Sequence, residues 1–590
     1  MCATHSLPLR PGISTNKNKT RGKRPMYDLI IRNGTVVDGS GLPGYQADVA
    51  VKGNRIAKIG KIAETADKEV DASGKIVAPG FIDPHTHFDA QLLWDGAAKP
   101  ALSHGVTTIV PGNCSLSLAP LKADHRMRLV GMFNQIEEMP YKAFREGVVW
   151  DWETFSEYIT RIRKGLAINV APLVGHSVIR LWVMNDAATE RTATDAEIAE
   201  MQDVLRECLD AGAAGLSTSY VDMDETLQPV PSRYADAREV EALAAVLGEY
   251  GRMLQIVPEF YDPDLTIARL DQLAELSIKY QIPTTFSPLF VNSDNVDAVD
   301  RVMNRVDEQF TRGARVWPQV QTRPIDISFS FAVPSLLFIR YPNWYRIMRF
   351  GTPEEIKAHF ADPENRKARA AEVADANGLW EKLVLRQVKT EANQKYVGQT
   401  LAGIAADRGV TPVEAMIDIS VEEDLEAHFL AADMGHNDDE KVVRLLKHPR
   451  VHIGASDGGA HILSFSTYGD TGYLFAHFVR DLKTMRLEDA VKKITSDTAS
   501  IWGIPERGLL RAGYIADITV FDARTVDRGV EKFVQDVPGD GSRYVRDSHG
   551  VDTVIVGGGI AWSAKGGYQE ARGAVLPGEA ADRPQLVAAE

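Results

Sequence analysis

Apolar positions along this chain follow two different patterns, one at its ends and one through its middle. From residue 27 to 60 short runs alternate with turn dipeptides: YDLIIRNGTVVDG carries Asn33-Gly34 between β-rich stretches, and ADVAVKGNRIAKIG repeats the form with Gly53-Asn54. Such dipeptides favour two-residue hairpin turns because they tolerate positive φ. Far downstream, ADITVFD (516–522) and VDTVIVGGGIAW (551–562) return to the same pattern. The expectation is one small β-sandwich domain assembled from residues 26–75 and 505–570, with everything between inserted as a second unit.

Through the middle, short β-branched runs bounded by turn residues alternate with segments of helical period. The runs are 75–83, 105–112, 167–175, 213–219, 252–260, 282–290, 314–321 and 450–457. Strands buried on both faces read as continuous apolar runs, and alternation with helices such as 195–211 and 236–250 implies parallel βαβ units. Eight units predict an α/β protein with a (β/α)₈ TIM barrel over residues 76–504, whose active site lies at the C-terminal ends of the strands. Between the seventh and eighth runs stand 128 residues, 322–449, far more than a βα connection needs. Their aromatic content (Phe329, Phe331, Phe338, Tyr341, Trp344, Tyr345, Phe350) predicts a folded insertion over the barrel mouth, read as a lid.

Size alone, 590 residues, would suggest about four domains. The patterning reduces them to two. A net charge of −15 argues against nucleic acid or an anionic membrane surface as partner. The balance sharpens once the first 25 residues are set aside: they hold six basic side chains and no acid, which leaves −21 on the rest. Residues 1–25 are expected to be a disordered basic extension and 571–590 a flexible tail. The amino-terminal segment lacks the apolar run of a signal peptide, and no stretch approaches a membrane span. Three cysteines, Cys2, Cys114 and Cys208, cannot form a disulfide framework and point to a reducing, cytoplasmic setting.

Candidate chemistry gathers at two of the expected strand ends. The first barrel run ends in Asp83-Pro84-His85-Thr86-His87. Histidines at i and i+2 on an extended strand point to the same side, so both imidazoles can converge on one cation. The eighth run ends in Ser456-Asp457-Gly458, placing a carboxylate at a neighbouring strand end. No GxSxG elbow, phosphate-binding GxxxxGK[ST] loop or Rossmann GxGxxG competes with this set.

Taken together, IIRNGTVVDG, APGFIDPHTHFD, GVTTIVPGNCS, VAPLVGH, GLSTS, GASDGGAH and GLLRAGYIADITVFD resemble the amidohydrolase superfamily, and within it the N-acyl-D-amino-acid deacylases. The resemblance covers nearly the whole body of the chain. It implies a barrel of the metal-dependent hydrolase type, with His85, His87 and Asp457 as metal ligands and Asp457 also moving the proton. It further implies Cys114, in Gly112-Asn113-Cys114, as a ligand, and a thiolate suits zinc; one or two Zn²⁺ ions are expected, one more securely than two. Cys208, within a helical run, reads as core.

The chain also departs from that family, whose fifth and sixth strands end in histidines. Here those places read IVPEF and FSPLF. Glu259 is a candidate oxygen ligand after the fifth run. His176 and His461 are candidate fourth ligands or substrate contacts, and Arg323 and Arg180 candidate partners for a substrate carboxylate. The implied activity is hydrolysis of a non-peptide C–N bond, deacylating an N-acyl-D-amino acid or related linear amide, with hydroxide supplied by a metal that lowers the pKa of its water from about 15.7 to about 7. The alternatives are opening of a cyclic amide or imide and, in another class, a non-catalytic barrel. The expected partner is a small molecule, and a homo-oligomer is compatible with these features.

Overall fold

A computed structural model describes residues 26–291, 297–374, 378–454 and 456–576. The basic extension of residues 1–25 and the last fourteen residues of the expected tail therefore lie outside the described residues.

Eight parallel strands form the centre. In order they are Phe81–Asp83, Val106–Ile109, a third strand in two pieces (Asn169–Val170 and Leu173–Gly175) divided at Pro172, Gly215–Ser219, Met253–Val257, Thr284–Phe286, Val316–Val320 and His452–Ile453. Each pairs in parallel with its sequence neighbour. A parallel bridge between Thr86 and Gly458 joins the eighth strand to the first and closes the barrel. The strands are nearly all buried on both faces, which is why they read as unbroken apolar runs.

Helices between the strands obey local rules visible in the text. Helix Asp195–Asp210 starts at Thr194, whose side chain accepts from Glu197 N while Glu197 reaches back in a capping box. Its stripe of Ile198, Met201, Leu205 and Cys208 is buried against the barrel, so Cys208 is core. Helix Ala237–Tyr250 is capped by Asp236 and stopped by Gly251 at φ 61°.

Both chain ends supply one nine-stranded sheet. Its order is Gly567–Tyr568, Gly559–Ser563, Val551–Val556, Ile518–Phe521, Ile76–Pro79, Tyr27–Val36, Tyr45–Lys52 and Arg55–Gly60. The sheet branches at Tyr27–Val36, whose first half also pairs with Ala66–Asp71. Both limbs contribute to one apolar cluster containing Leu29, Val36, Val51, Val77, Ile518, Val520 and Ile555.

Two features correct the sequence reading. Residues 571–576 are not a free tail: Gly573 N donates to Leu166 O, Leu576 N to Val170 O, and Val575 and Leu576 are buried. Burial of Val575 and Leu576 holds this part of the chain despite its small and polar composition. Further, residues 531–546, assigned to the terminal β domain, leave its sheet as a separate hairpin, Glu531–Val537 with Gly541–Arg546. Tyr544 N donates to Ile462 O, and the Arg543 guanidinium reaches Gln91 Oε1 and Tyr468. The hairpin thus packs on the loop that follows the eighth barrel strand.

The long insertion has its own small antiparallel sheet, Ile327–Phe329, His428–Ala431 and Val384–Gln387, and its own core. Phe329, Phe331, Phe338 and Trp344 are wholly buried in that core, whereas Phe350 is exposed. Most of these aromatics therefore hold the insertion together rather than facing outward. Of the aromatics, Tyr345 also touches the barrel, where Gln135 Nε2 donates to its Oη, and elsewhere His436 N donates to Val291 O.

Candidate metal centre

His85 and His87 take their places from the way the first strand continues past Asp83. Thr86 N donates to Val110 O on one side, and His87 N donates to Gly458 O on the other. Asp457 N donates to His85 O. The segment stays extended between its neighbours, so Thr86 points away while the two imidazoles share one side. All of this sits at the C-terminal end of the barrel, and both histidines are buried.

The eighth strand returns Asp457 to the same point. Its Oδ1 lies 3.1 Å from His87 Nε2 and 3.6 Å from His85 Nε2, and Oδ2 lies 3.6 Å from His461 Nε2. Asp457 has φ 66° and His461 φ 48°, left-handed conformations that cost energy for residues with a Cβ and cluster at functional sites. Gly459, at φ 93°, lets the turn pass the His87 backbone, where an added Cβ would meet the carbonyl at 3.0 Å.

Cys114 arrives from the second strand on a similarly constrained turn, with φ 53° at Cys114 and 63° at Ser115. Gly112 N donates to Asp89, and Asn113 Nδ2 donates to Val110 O. The sulfur lies 3.6 Å from His85 Nε2 and 3.8 Å from His87 Nε2. One donor atom each from His85, His87 and Cys114 lie within 4.8 Å of one another, the one such group of three among the described residues. Asp457 adjoins it through both histidines.

Partners behind the rings decide which nitrogen faces inward. Gln319 Oε1, on the seventh strand, stands 3.0 Å from His85 Nδ1, and Glu137 Oε1 stands 2.9 Å from His87 Nδ1. An acceptor at Nδ1 keeps the proton there and leaves the Nε2 lone pair directed at the centre. Glu137 and Gln319 were absent from the sequence reading. The acidic pair Glu137-Glu138 just past helix Arg126–Ile136 was the available signal for the first; Gln319, inside an apolar strand, offered none.

The electrostatics suit a cation. Burial pushes the Cys114 thiol up and pulls the His85 imidazole down to about 4. Asp457 is held well below the usual carboxylate range because His87, His461 and His85 outweigh its burial. A buried thiol keeps its proton unless a positive charge holds the thiolate. Two imidazoles, a thiol and a carboxylate are the donor types that bind zinc.

Four sequence candidates are not brought to this centre. Glu259 forms a bidentate pair with Arg269, with Nη2 at 2.9 Å, and Arg269 covers the Tyr220 ring. A charged neighbour ten residues on, in helix Pro263–Tyr280, captured the carboxylate. His176 is buried between Thr218 Oγ1 at 2.9 Å and Glu239 Oε1 at 2.7 Å. Arg180 is wholly buried on the same Glu239 and on the carbonyls of Ala188 and Arg191, so it has no reach to a substrate carboxylate. Arg323 is buried on Asp470 and donates to Ser456 O, where it braces the eighth strand. His461, by contrast, is part of the centre.

Among known proteins, the chain matches the amidohydrolase family over residues 68–561. A D-aminoacylase from Alcaligenes xylosoxydans xylosoxydans is 30% identical over 509 residues, covering 85% of this chain and 89% of its own. An N-acyl-D-glutamate deacylase from Bordetella bronchiseptica, solved with zinc and a phosphonate inhibitor mimicking the tetrahedral intermediate, superposes with a TM-score of 0.64 at 26% identity, over 94% of this chain and all of that one. A D-aminoacylase structure concerned with its binuclear metal centre, with one-metal activation and second-metal attenuation, also superposes with a TM-score of 0.64, at 26% identity over 93% and 99% of the two chains.

Proposed function

The chain belongs to the amidohydrolase family, and on that footing we propose that it is a zinc hydrolase that deacylates an N-acyl-D-amino acid or a related linear amide. The observation that carries the reading is the convergence of His85, His87, Cys114 and Asp457 at the barrel mouth.

In this reading His85, His87, Cys114 and Asp457 hold the cation. When bound, such an ion polarises a carbonyl and makes water acidic enough to supply hydroxide near neutral pH. The remaining work falls to the protein's own groups. Asp457 takes the proton of the attacking water and returns it to the leaving nitrogen, a step that general acid–base catalysis makes roughly 10²–10⁴-fold faster. His461, near the second oxygen of Asp457, keeps that carboxylate ionised until the proton arrives. Gln319 and Glu137 hold the two imidazoles in the orientation that the cation needs.

A single ion is part of the proposal. Glu259, the candidate for a further oxygen ligand at the fifth strand, is committed to Arg269, and the sixth strand is followed by Ser287-Pro288. No helix among the described residues is long and apolar enough to cross a membrane, and Cys114 and Cys208 are free thiols, which supports a reducing cytoplasmic setting for a small-molecule substrate.

The deciding experiment offers the purified zinc-loaded protein N-acetyl-D-amino acids, their L forms, and cyclic ureides and imides. Release of acetate from the D compounds is expected. Ring opening without deacylation would replace this reading with the cyclic-amide one.

A further inference from the structure

The fourth barrel strand, Gly215–Ser219, is buried along its whole length yet carries three hydroxyl groups, Ser217, Thr218 and Ser219. A hydroxyl taken out of water is costly unless it finds a partner. Each of these finds one on a different segment. Thr218 Oγ1 lies 2.9 Å from His176 Nδ1, and Ser219 Oγ accepts from Val221 N and Asp222 N at 3.3 and 3.2 Å. Ser217 Oγ reaches across to the turn after the second strand, where it donates to Gly112 O at 2.5 Å and accepts from Ser115 N at 3.1 Å.

Those two backbone groups stand on either side of Cys114. A hydroxyl has one proton to give and lone pairs to accept with, so Ser217 meets both needs at once. The turn requires such a hold. Cys114 and Ser115 are consecutive left-handed residues, at φ 53° and 63°, and conformations of that kind persist only where the surroundings over-determine them. The flanks are fastened as well. Gly112 N donates to Asp89, Ser177 N donates to Ser115 O at 3.2 Å, and a Cβ added at Gly175 would lie 2.3 Å from that same carbonyl oxygen. A turn fixed in this way delivers the Cys114 sulfur to 3.6 Å from His85 Nε2 and 3.8 Å from His87 Nε2.

We propose that Ser217 is a positioning residue for the thiol ligand: its hydroxyl bridges Gly112 and Ser115, so that Cys114 is aimed at the cation site before any ion arrives. The proposal rests on the reading of Cys114 as a metal ligand. Removing the hydroxyl leaves a buried carbonyl and a buried amide without that partner and frees two left-handed residues to relax, which carries the sulfur away from the histidines. Ser177 supplies an internal comparison. It is equally buried, and its Oγ lies 2.8 Å from Ser115 Oγ and accepts from Ser232 N at 3.2 Å, but neither bond is to a backbone group of the turn.

The test is cobalt(II) substitution, because a thiolate ligand gives cobalt an intense sulfur-to-metal charge-transfer band that imidazole and carboxylate do not. Wild-type protein should show the band. Ser217→Ala, with its circular dichroism spectrum unchanged, should lose most of it and bind zinc roughly 10–100-fold more weakly against a competing chelator, while Ser177→Ala keeps both. In a Cys114→Ser background Ser217→Ala should add little further loss, since two changes acting through one ligand are not additive. A full band and wild-type zinc affinity in Ser217→Ala overturn the proposal, as do an additive loss in the double variant or an equal loss in Ser177→Ala. Absence of the band from the wild type overturns the reading of Cys114 as a ligand, and the proposal with it. Should Ser217→Ala fail to fold, the metal-free wild type decides. Hydrogen exchange in a peptide covering residues 112–116 should be as slow as in the second strand, and fast exchange that slows only on adding zinc overturns the preformed turn.

Discussion

Glu137 Oε1 lies 2.9 Å from His87 Nδ1, with both side chains almost wholly buried. The pair is close but not well directed, since neither atom completes a hydrogen bond of good geometry. A carboxylate in that position still fixes which ring nitrogen carries the proton, and it balances charge on the far side of the ligand. Replacing Glu137 with Gln keeps the shape and removes the charge. Zinc affinity measured against a competing chelator should fall roughly 10–100-fold, the usual range for such partners. Wild-type affinity in that variant would show that Glu137 is only filling space.

Asp457 bears two duties in the proposed mechanism, and Asn keeps only part of one. Asp457→Asn should lose at least about 10²-fold in turnover, the lower end of what general acid–base catalysis contributes, while its circular dichroism spectrum stays unchanged. Activity close to that of the wild type would remove the proton-transfer role.

Metal stoichiometry follows from the donors present. Elemental analysis of protein dialysed after zinc loading should give one ion per chain, and Cys114→Ser should reduce zinc affinity without creating a second class of site. Excess zinc should not depress activity, in contrast to the second-metal attenuation described for the D-aminoacylase structure. Two ions per chain at saturation would overturn the single-site reading.

The His176–Glu239–Arg180 network should behave as architecture. Glu239 accepts from His176 Nε2 and from the buried Arg180 guanidinium. Glu239→Ala leaves that guanidinium without its carboxylate, and breaking a buried pair this way costs about 3–5 kcal/mol. The expected result is a clearly lowered thermal midpoint with KM unchanged in the folded protein at low temperature. A raised KM with the midpoint intact would return Arg180 to the substrate.

The barrel strands were legible because burial on both faces leaves a one-dimensional trace, an unbroken apolar run between turn residues. His85 and His87 were legible for a related reason: on an extended segment, spacing of two fixes a shared face whatever surrounds it. Glu259, His176, Arg180 and Arg323 looked equally promising as polar residues near strand ends. Their fate depended on Arg269, Glu239 and Asp470, partners from 10 to 147 residues away along the chain.

By itself the sequence determined the alternation that makes a barrel, the two chain ends that share a sheet, and the histidine pair and aspartate at its mouth. These follow from periodicity and local backbone geometry, which a linear text records. Only the tertiary structure decided which charged side chains remain available, that Glu137 and Gln319 stand behind the two imidazoles, and that a hairpin from the terminal segment packs beside the site. An ionisable group takes whichever opposite charge lies nearest in space, and that distance is set by how the segments pack.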